Sequence, residues 1–226
     1  MEQIYLEWIL LLGALLLPGI AHLYIMSTYN KYSRGTTKHD KTGFDVAREI
    51  CDRNGLNNLY IVETGGKLTD HYDPKRRTIR LSHEVYHGKS VASLAVAAHE
   101  AGHAIQDKEG YSFFRMRSFI FPIVNLGTGF SYILIFIGLF LGMLELLWLG
   151  IALVSLGLIF QLVTLPVEFD ASKKAKAELA KINITDDNTQ NGTSKVLNAA
   201  AFTYVAGALA SAMTILRLIL IANRRR

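Results

Sequence analysis

Between Ser118 and Pro166 the chain carries a single charged side chain, Glu145. A run this long and this apolar has no place on a water-soluble surface, and it is long enough for two bilayer crossings of about 20 residues each. In hydrocarbon the backbone must satisfy its own hydrogen bonds, so such crossings are helices. Two further stretches share the character. One runs from Trp8 to Met26 and contains Pro18. The other runs from Leu197 to Ala222, is weaker, rich in Ala, and interrupted by Arg217. Apolar residues make up 50% of the chain, but they cluster in these stretches rather than spreading periodically. The expectation is a mainly α, multi-pass membrane protein with about four transmembrane helices. Met1-Glu2-Gln3 lacks the positive charge of a cleavable signal peptide, and no small-x-small cleavage site follows, so the first stretch reads as a retained anchor.

Charge then sets orientation. The net charge is +5 and the pI 9.3, values that in a soluble chain would suggest nucleic acid. In a chain with four apolar stretches they read instead as basic residues flanking membrane segments on the cytoplasmic side. Ser27–Arg117 and Glu168–Lys195 are both rich in Lys and Arg, whereas the N-terminal tail and the short turn between the middle two stretches have none. Both basic segments are therefore expected in the cytoplasm. By the same logic Arg224-Arg225-Arg226 are candidates for contact with anionic headgroups. A full crossing by the fourth stretch would place them on the other side, so these two readings conflict.

The polar segment Ser27–Arg117 has its own pattern. Gly43-Phe44-Asp45 leads into a short amphipathic helix with Val46 and Ile50 on its inward face, and Leu56 follows, also inward. Tyr60-Ile61-Val62-Glu63 reads as a strand before the turn signal Gly65-Gly66. Asp70-His71-Tyr72-Asp73-Pro74 reads as a second turn, and Thr78–Ser82 as a second strand. The latter is the candidate open edge for an extended peptide. A helix is expected from Ser90 to Lys108, with Gly110 as its stop. Asn183–Ser194, polar and poor in apolar residues, is expected to be a mobile loop.

The Ser90–Lys108 helix contains His99-Glu100-Ala101-Gly102-His103. Residues four apart share a helix face, so both imidazoles can address one ion while Glu100 leans over a water bound to it. An open tetrahedral zinc site needs a third protein ligand. The one cysteine, Cys51, excludes both an intramolecular disulfide framework and a cysteine cage. Glu168 is the candidate, because a carboxylate abutting an apolar span is costly unless paired or bound. Asp170 is a rival ligand or an acceptor for a ligand histidine's other N–H. One zinc on His99, His103 and Glu168 would lower the pKa of its water towards ~7, and Glu100 would accept the proton and pass it to the leaving amine. His71 and Tyr72 are oxyanion candidates. His83 and His87 are also four apart, but Gly88 and the adjoining turn interrupt the helix that a second pair would need. They read as plain surface histidines.

Three blocks carry a resemblance: Leu68-Thr69-Asp70-His71-Tyr72-Asp73-Pro74, the Ser90–Gln106 motif helix, and Leu165-Pro166-Val167-Glu168-Phe169-Asp170-Ala171-Ser172. With them, the chain resembles the YugP-type neutral zinc metallopeptidases of bacterial membranes over nearly its whole length. The resemblance implies zinc on His99 and His103, with Glu100 as catalytic acid/base. More distantly, the helix and the later Glu-Phe-x-Ala are similar to the HtpX-type and CAAX-prenyl-type membrane proteases, in which the Glu of the later motif is the third ligand. This chain departs from that pattern at Ser172, where an Asp usually orients a ligand histidine.

The expected organisation is an anchor over 1–26 and a cytoplasmic catalytic segment over 27–117. A transmembrane hairpin over 118–167 follows, then the third-ligand motif, basic helix and loop over 168–196, and a last transmembrane helix with a basic tail over 197–226. The catalytic segment is expected to be a small α+β, zincin-like (gluzincin-type) unit beside the membrane, acting on peptide or protein substrates presented at the bilayer, with no nucleic-acid partner. An intramembrane protease of the site-2 type does not fit, because Asp107-Lys108-Glu109 ends the motif helix in charge. An AAA-linked protease would carry a G-x-x-x-x-G-K-[ST] loop, which this chain lacks. The reading from another class is a non-enzymatic membrane scaffold or metal-binding protein with a silent site. Glu100 separates the two, since a purely structural site has no use for it.

Overall fold

In a computed structural model that describes residues 1–184 and 186–225, the chain forms seven α-helices and three short strands among those residues. In order these are α1 (Glu2–Tyr32), α2 (Gly43–Arg53), β1 (Tyr60–Thr64), β2 (His71–Asp73), β3 (Thr78–Ser82), α3 (His83–Tyr86), α4 (Val91–Glu109), α5 (Ser112–Leu141), α6 (Leu144–Lys181) and α7 (Asp187–Arg224). Two compact units emerge. One comprises Met1–His22, Arg115–Pro166 and Phe202–Arg226; the other comprises Leu23–Phe114 and Val167–Ala201.

The first unit is wholly helical. Helices α1, α5, α6 and α7 are each long and apolar enough to cross a membrane. Its large apolar side chains are turned outward: Trp8, Leu15, Phe119, Leu126, Phe136 and Phe140 are all exposed. In water that surface would drive aggregation; against lipid it costs nothing. The interior is correspondingly thin, built on Ile135, Leu147, Ile151, Val154 and Leu218. Packing depends on small residues, as bilayer helices require. A side chain at Gly138 would meet the backbone nitrogen of Leu147 at 2.7 Å, so glycine lets α5 and α6 touch. Arg224 pairs with Glu7 at 3.2 Å and Arg225 donates to the Leu139 carbonyl at 2.7 Å, so both are engaged within the protein. Arg226 lies outside the described residues.

The second unit has a conventional interior. Val46, Ile50, Ile79, Leu81, Val85, Leu94 and Ala98 are fully buried together, and Leu56 and Leu59 close the same core. Helix α2 starts with a reciprocal cap, Thr42 accepting from the Asp45 N–H while the Asp45 carboxylate accepts from the Thr42 N–H. Helix α4 is capped by Ser90, whose hydroxyl accepts from the Ser93 N–H at 3.1 Å, and stops at Gly110 in the left-handed conformation (φ 67°).

The sheet corrects two expectations. Its order is β1-β3-β2, with β1 parallel to β3 and β2 antiparallel to it. Thr78–Ser82 is therefore the central strand rather than an open edge, buried at four of its five residues. The stretch read as a turn supplies the missing neighbour: His71, Tyr72 and Asp73 pair with Arg80, Ile79 and Thr78. Three residues are too few to show the alternation by which strands are recognised. A third correction concerns Asn183–Ser194, which is helical from Asp187 onward as the start of α7. Polarity there marks a helix that buries small polar groups, with Thr189 and Thr193 both about fully covered and Gly192 lying against Val91 and Tyr32. Thr185 lies outside the described residues.

Candidate metal centre

His99 and His103 stand one turn apart on α4, their ring centroids 4.7 Å apart and their planes nearly perpendicular at 81°. Glu168 reaches them from α6, with its Oε2 3.2 Å from His99 Nε2 and 3.7 Å from His103 Nε2. All three are largely buried, with side-chain exposures of 12%, 8% and 4%. The reason α6 comes so close is Gly102. A Cβ there would sit 2.7 Å from the Ala171 carbonyl oxygen, so the backbones touch and the Glu168 side chain needs no reach.

Hydrogen bonds on the far side of the rings fix their roles. The Gln106 amide nitrogen donates to the Val167 carbonyl at 2.7 Å and to Asp170 Oδ2 at 2.9 Å. Both partners only accept, so the amide cannot be flipped, and its Oε1 must be what faces His103 Nδ1 at 3.0 Å. Nδ1 therefore carries the hydrogen, and Nε2 points a lone pair at a carboxylate oxygen. Two acceptors held face to face require a cation between them, a proton or a metal ion. Asp170 is itself steadied by Lys174 at 3.6 Å, which also binds Glu109 at 2.8 Å. His99 Nδ1 meets the Ser172 hydroxyl at 3.3 Å. A hydroxyl both donates and accepts, so it orients that ring without dictating its tautomer.

The donor set fits zinc. Bonds of about 2.0–2.1 Å in a tetrahedron separate neighbouring donors by about 3.3 Å, close to the 3.2 and 3.7 Å seen here. The three candidate donors all lie within 4.8 Å of one another. Each histidine also has an outer partner, as metal-bound imidazoles do.

Glu100, next on the helix, is 7% exposed. Burial pushes its carboxyl up to about 7; the neighbouring His99 opposes the rise, the Glu168 and Asp70 charges add to it, and the nearby Tyr72 backbone opposes it again. The two oxyanion candidates differ. Tyr72 donates its hydroxyl to Asp107 at 2.8 Å, and its phenol is pushed upward mainly by burial. His71 is exposed and engages the Thr69 carbonyl through Nδ1 at 2.8 Å.

Gln106 was missed by sequence reasoning, although it sits three residues after His103 on the same face. Asp170 acts through it rather than directly. Ser172, at the position where the resemblance has an Asp, meets His99, and the side chain that orients His103 lies on the motif helix itself.

A model of the family described as "Putative neutral zinc metallopeptidase" matches residues 7–223. A relative from Bacillus subtilis (strain 168), named "Putative membrane protease YugP", is 45% identical over 212 residues, covering 94% of each chain. No solved structure matches. With a family model covering almost the whole chain and a relative of this identity over 94% of its length, the chain belongs to the family described as "Putative neutral zinc metallopeptidase".

Proposed function

We propose that the chain is a membrane-integral zinc endopeptidase in which His99, His103 and Glu168 hold one ion and Glu100 is the general base. The observation that carries this reading is the buried junction of α4 and α6, where three donors at zinc spacing adjoin the buried carboxyl of Glu100. Zinc bound there would supply a Lewis acid that polarises a peptide carbonyl and makes water a nucleophile at neutral pH.

The chain's own residues do the rest. Glu100, buried next to His99 on the motif helix, would accept a proton from water and return it to the leaving amine. Gln106 and Asp170 hold His103 in the tautomer whose Nε2 is free for the ion. His71 spends Nδ1 on Thr69, which leaves Nε2 as the nitrogen it can offer a developing oxyanion. The segment of the fold around this site is zincin-like in the sense that a short sheet backs the motif helix. An extended peptide would add at β2, an edge strand whose Tyr72 hydroxyl donates to Asp107 on the motif helix.

Glu168 lies two residues after Pro166 on one continuous helix with the third apolar stretch. Substrates presented at the membrane surface are the class that suits such a site, and the Lys- and Arg-rich flanks support the cytoplasmic side of the membrane for it. The test is peptide cleavage and zinc content of the full chain in nanodiscs. Glu100→Gln should keep its zinc and lose about 10²–10⁴-fold in rate, and Glu168→Ala should lose the ion. Cleavage that survives Glu100→Gln would end the mechanism. Zinc-loaded wild type that cleaves no peptide would favour the scaffold reading instead.

A further inference from the structure

A second constellation of the same residue types lies elsewhere in the α/β unit. His83 Nδ1 is 2.6 Å from Glu63 Oε1, and His87 Nε2 is 3.0 Å from Glu63 Oε2. The two rings are 4.8 Å apart between centroids. Gly88 does not break the pair as the sequence suggested. Helix α3 is only one turn long, but His87, its C-terminal cap, keeps right-handed helical angles (φ −95°, ψ −13°). The two imidazoles therefore still share a face.

We propose that Glu63, His83 and His87 form a second, surface site for a borderline transition-metal dication such as zinc or nickel. Two imidazoles and a carboxylate are the donor types such ions prefer, and the candidate donor atoms lie within 4.8 Å of one another. The parallel register of β1 and β3 sets Glu63 beside Leu81, two residues before His83, so the backbone fixes the spacing. Packing holds the ring of His87, which lies 4.8 Å from that of Tyr86, itself 4.9 Å from Phe44. The nearby cations do not oppose an ion, because Lys67 is matched by Glu84 at 3.6 Å and Lys89 by Asp40.

The site differs from the first in being open to water, with side-chain exposures of 73% for His83, 56% for His87 and 43% for Glu63. An ion there exchanges with the bulk and responds to its concentration. It would also link β1 to the segment that leads into α4. Ser93 on α4 donates to the Glu84 carbonyl at 3.1 Å, and the Gly88 carbonyl accepts from the Gly43 N–H at 2.9 Å. Occupancy should therefore stabilise the unit that carries the motif helix.

The test is equilibrium dialysis of the chelator-stripped full chain in nanodiscs against zinc, and separately nickel, with metal content read by mass spectrometry. Wild type should take up two zinc ions, the weaker one stripped first by a mild chelator. His83→Ala with His87→Ala should lose that weaker equivalent and keep the other, and Glu63→Gln should weaken it at least tenfold without disturbing the fold. With the buried cluster already loaded with zinc, added nickel should raise the unfolding midpoint of wild type and not that of the double variant. A double variant that still binds two zinc ions, or a wild type with no second equivalent, would overturn the proposal. In a Glu168→Ala background the weaker equivalent should remain, and its loss there would overturn an independent site. Retention of both ions in that background would instead count against the catalytic reading alone.

Discussion

The two His–His–Glu clusters are built from the same side chains at the same helical spacing, yet their surroundings differ in every respect. His99 and His103 are enclosed, and each has a fixed partner behind its ring: the Ser172 hydroxyl for one, and Gln106 with Asp170 for the other. His83 and His87 stand in water with Glu63 as their shared partner. Beside the buried pair lies a carboxylate raised to about 7 by burial, while beside the exposed pair Glu63 is held down. A motif thus supplies ligands, but burial, outer hydrogen bonds and an adjacent tuned acid decide whether those ligands can do chemistry.

The largest break in that contrast should come from Gly102→Ala. Its new methyl would strike the Ala171 carbonyl and push α6 away from α4. Overpacking of this kind costs about 1–3 kcal/mol in stability, and a displacement of about 1 Å can cost ~10²-fold in function. Zinc affinity and cleavage should both fall about 100-fold while the surface cluster is untouched. Comparable losses at both sites would mean general unfolding rather than a local clash. Gln106→Leu should act next most strongly. It removes the acceptor that fixes the His103 tautomer and should weaken zinc at the buried site by about 10–100-fold, measured by competition with a chromophoric chelator. An unchanged affinity would show that Gln106 is packing only.

A smaller effect should appear with pH. In the metal-free protein Glu100 sits at about 7. A dication beside it favours the charged form, so zinc binding lowers that value and expels a proton. Affinity should then rise with pH below about 7, and the Glu100 contribution should flatten above it. Calorimetry on wild type and Glu100→Gln isolates this share, since the variant has no such proton to lose. Equal slopes for the two proteins would contradict the placement of Glu100 beside the ion. The smallest effect belongs to the exposed pair: without metal, His83→Ala should change unfolding stability by less than about 0.5 kcal/mol, as surface substitutions usually do. A larger loss would show that the Glu63 hydrogen bonds are structural.

Much of the buried site could be read before any coordinates. The motif helix announced itself through Ser90, the His99–His103 spacing and Gly110, each tied to local backbone chemistry. Glu168 was singled out because an acid beside an apolar span needs a partner, and α6 does bring it to the two histidines. What stayed hidden depends on contacts distant in sequence. Gln106 looks like any polar helix residue until Val167 and Asp170 are placed against it. The position of β3 between its neighbours is a matter of topology that alternation within one strand cannot reveal. His83 and His87 were set aside on the strength of a glycine, whereas their meeting depends on Glu63 arriving from a parallel strand.

The most direct test of the central claim is X-ray absorption at the zinc edge on the one-zinc form of the His83→Ala, His87→Ala chain. Two imidazole nitrogens and carboxylate or water oxygens at about 2.0–2.1 Å are expected, with the signal lost in Glu168→Ala. A site with one imidazole or none, or a spectrum that Glu168→Ala leaves unchanged, would contradict it.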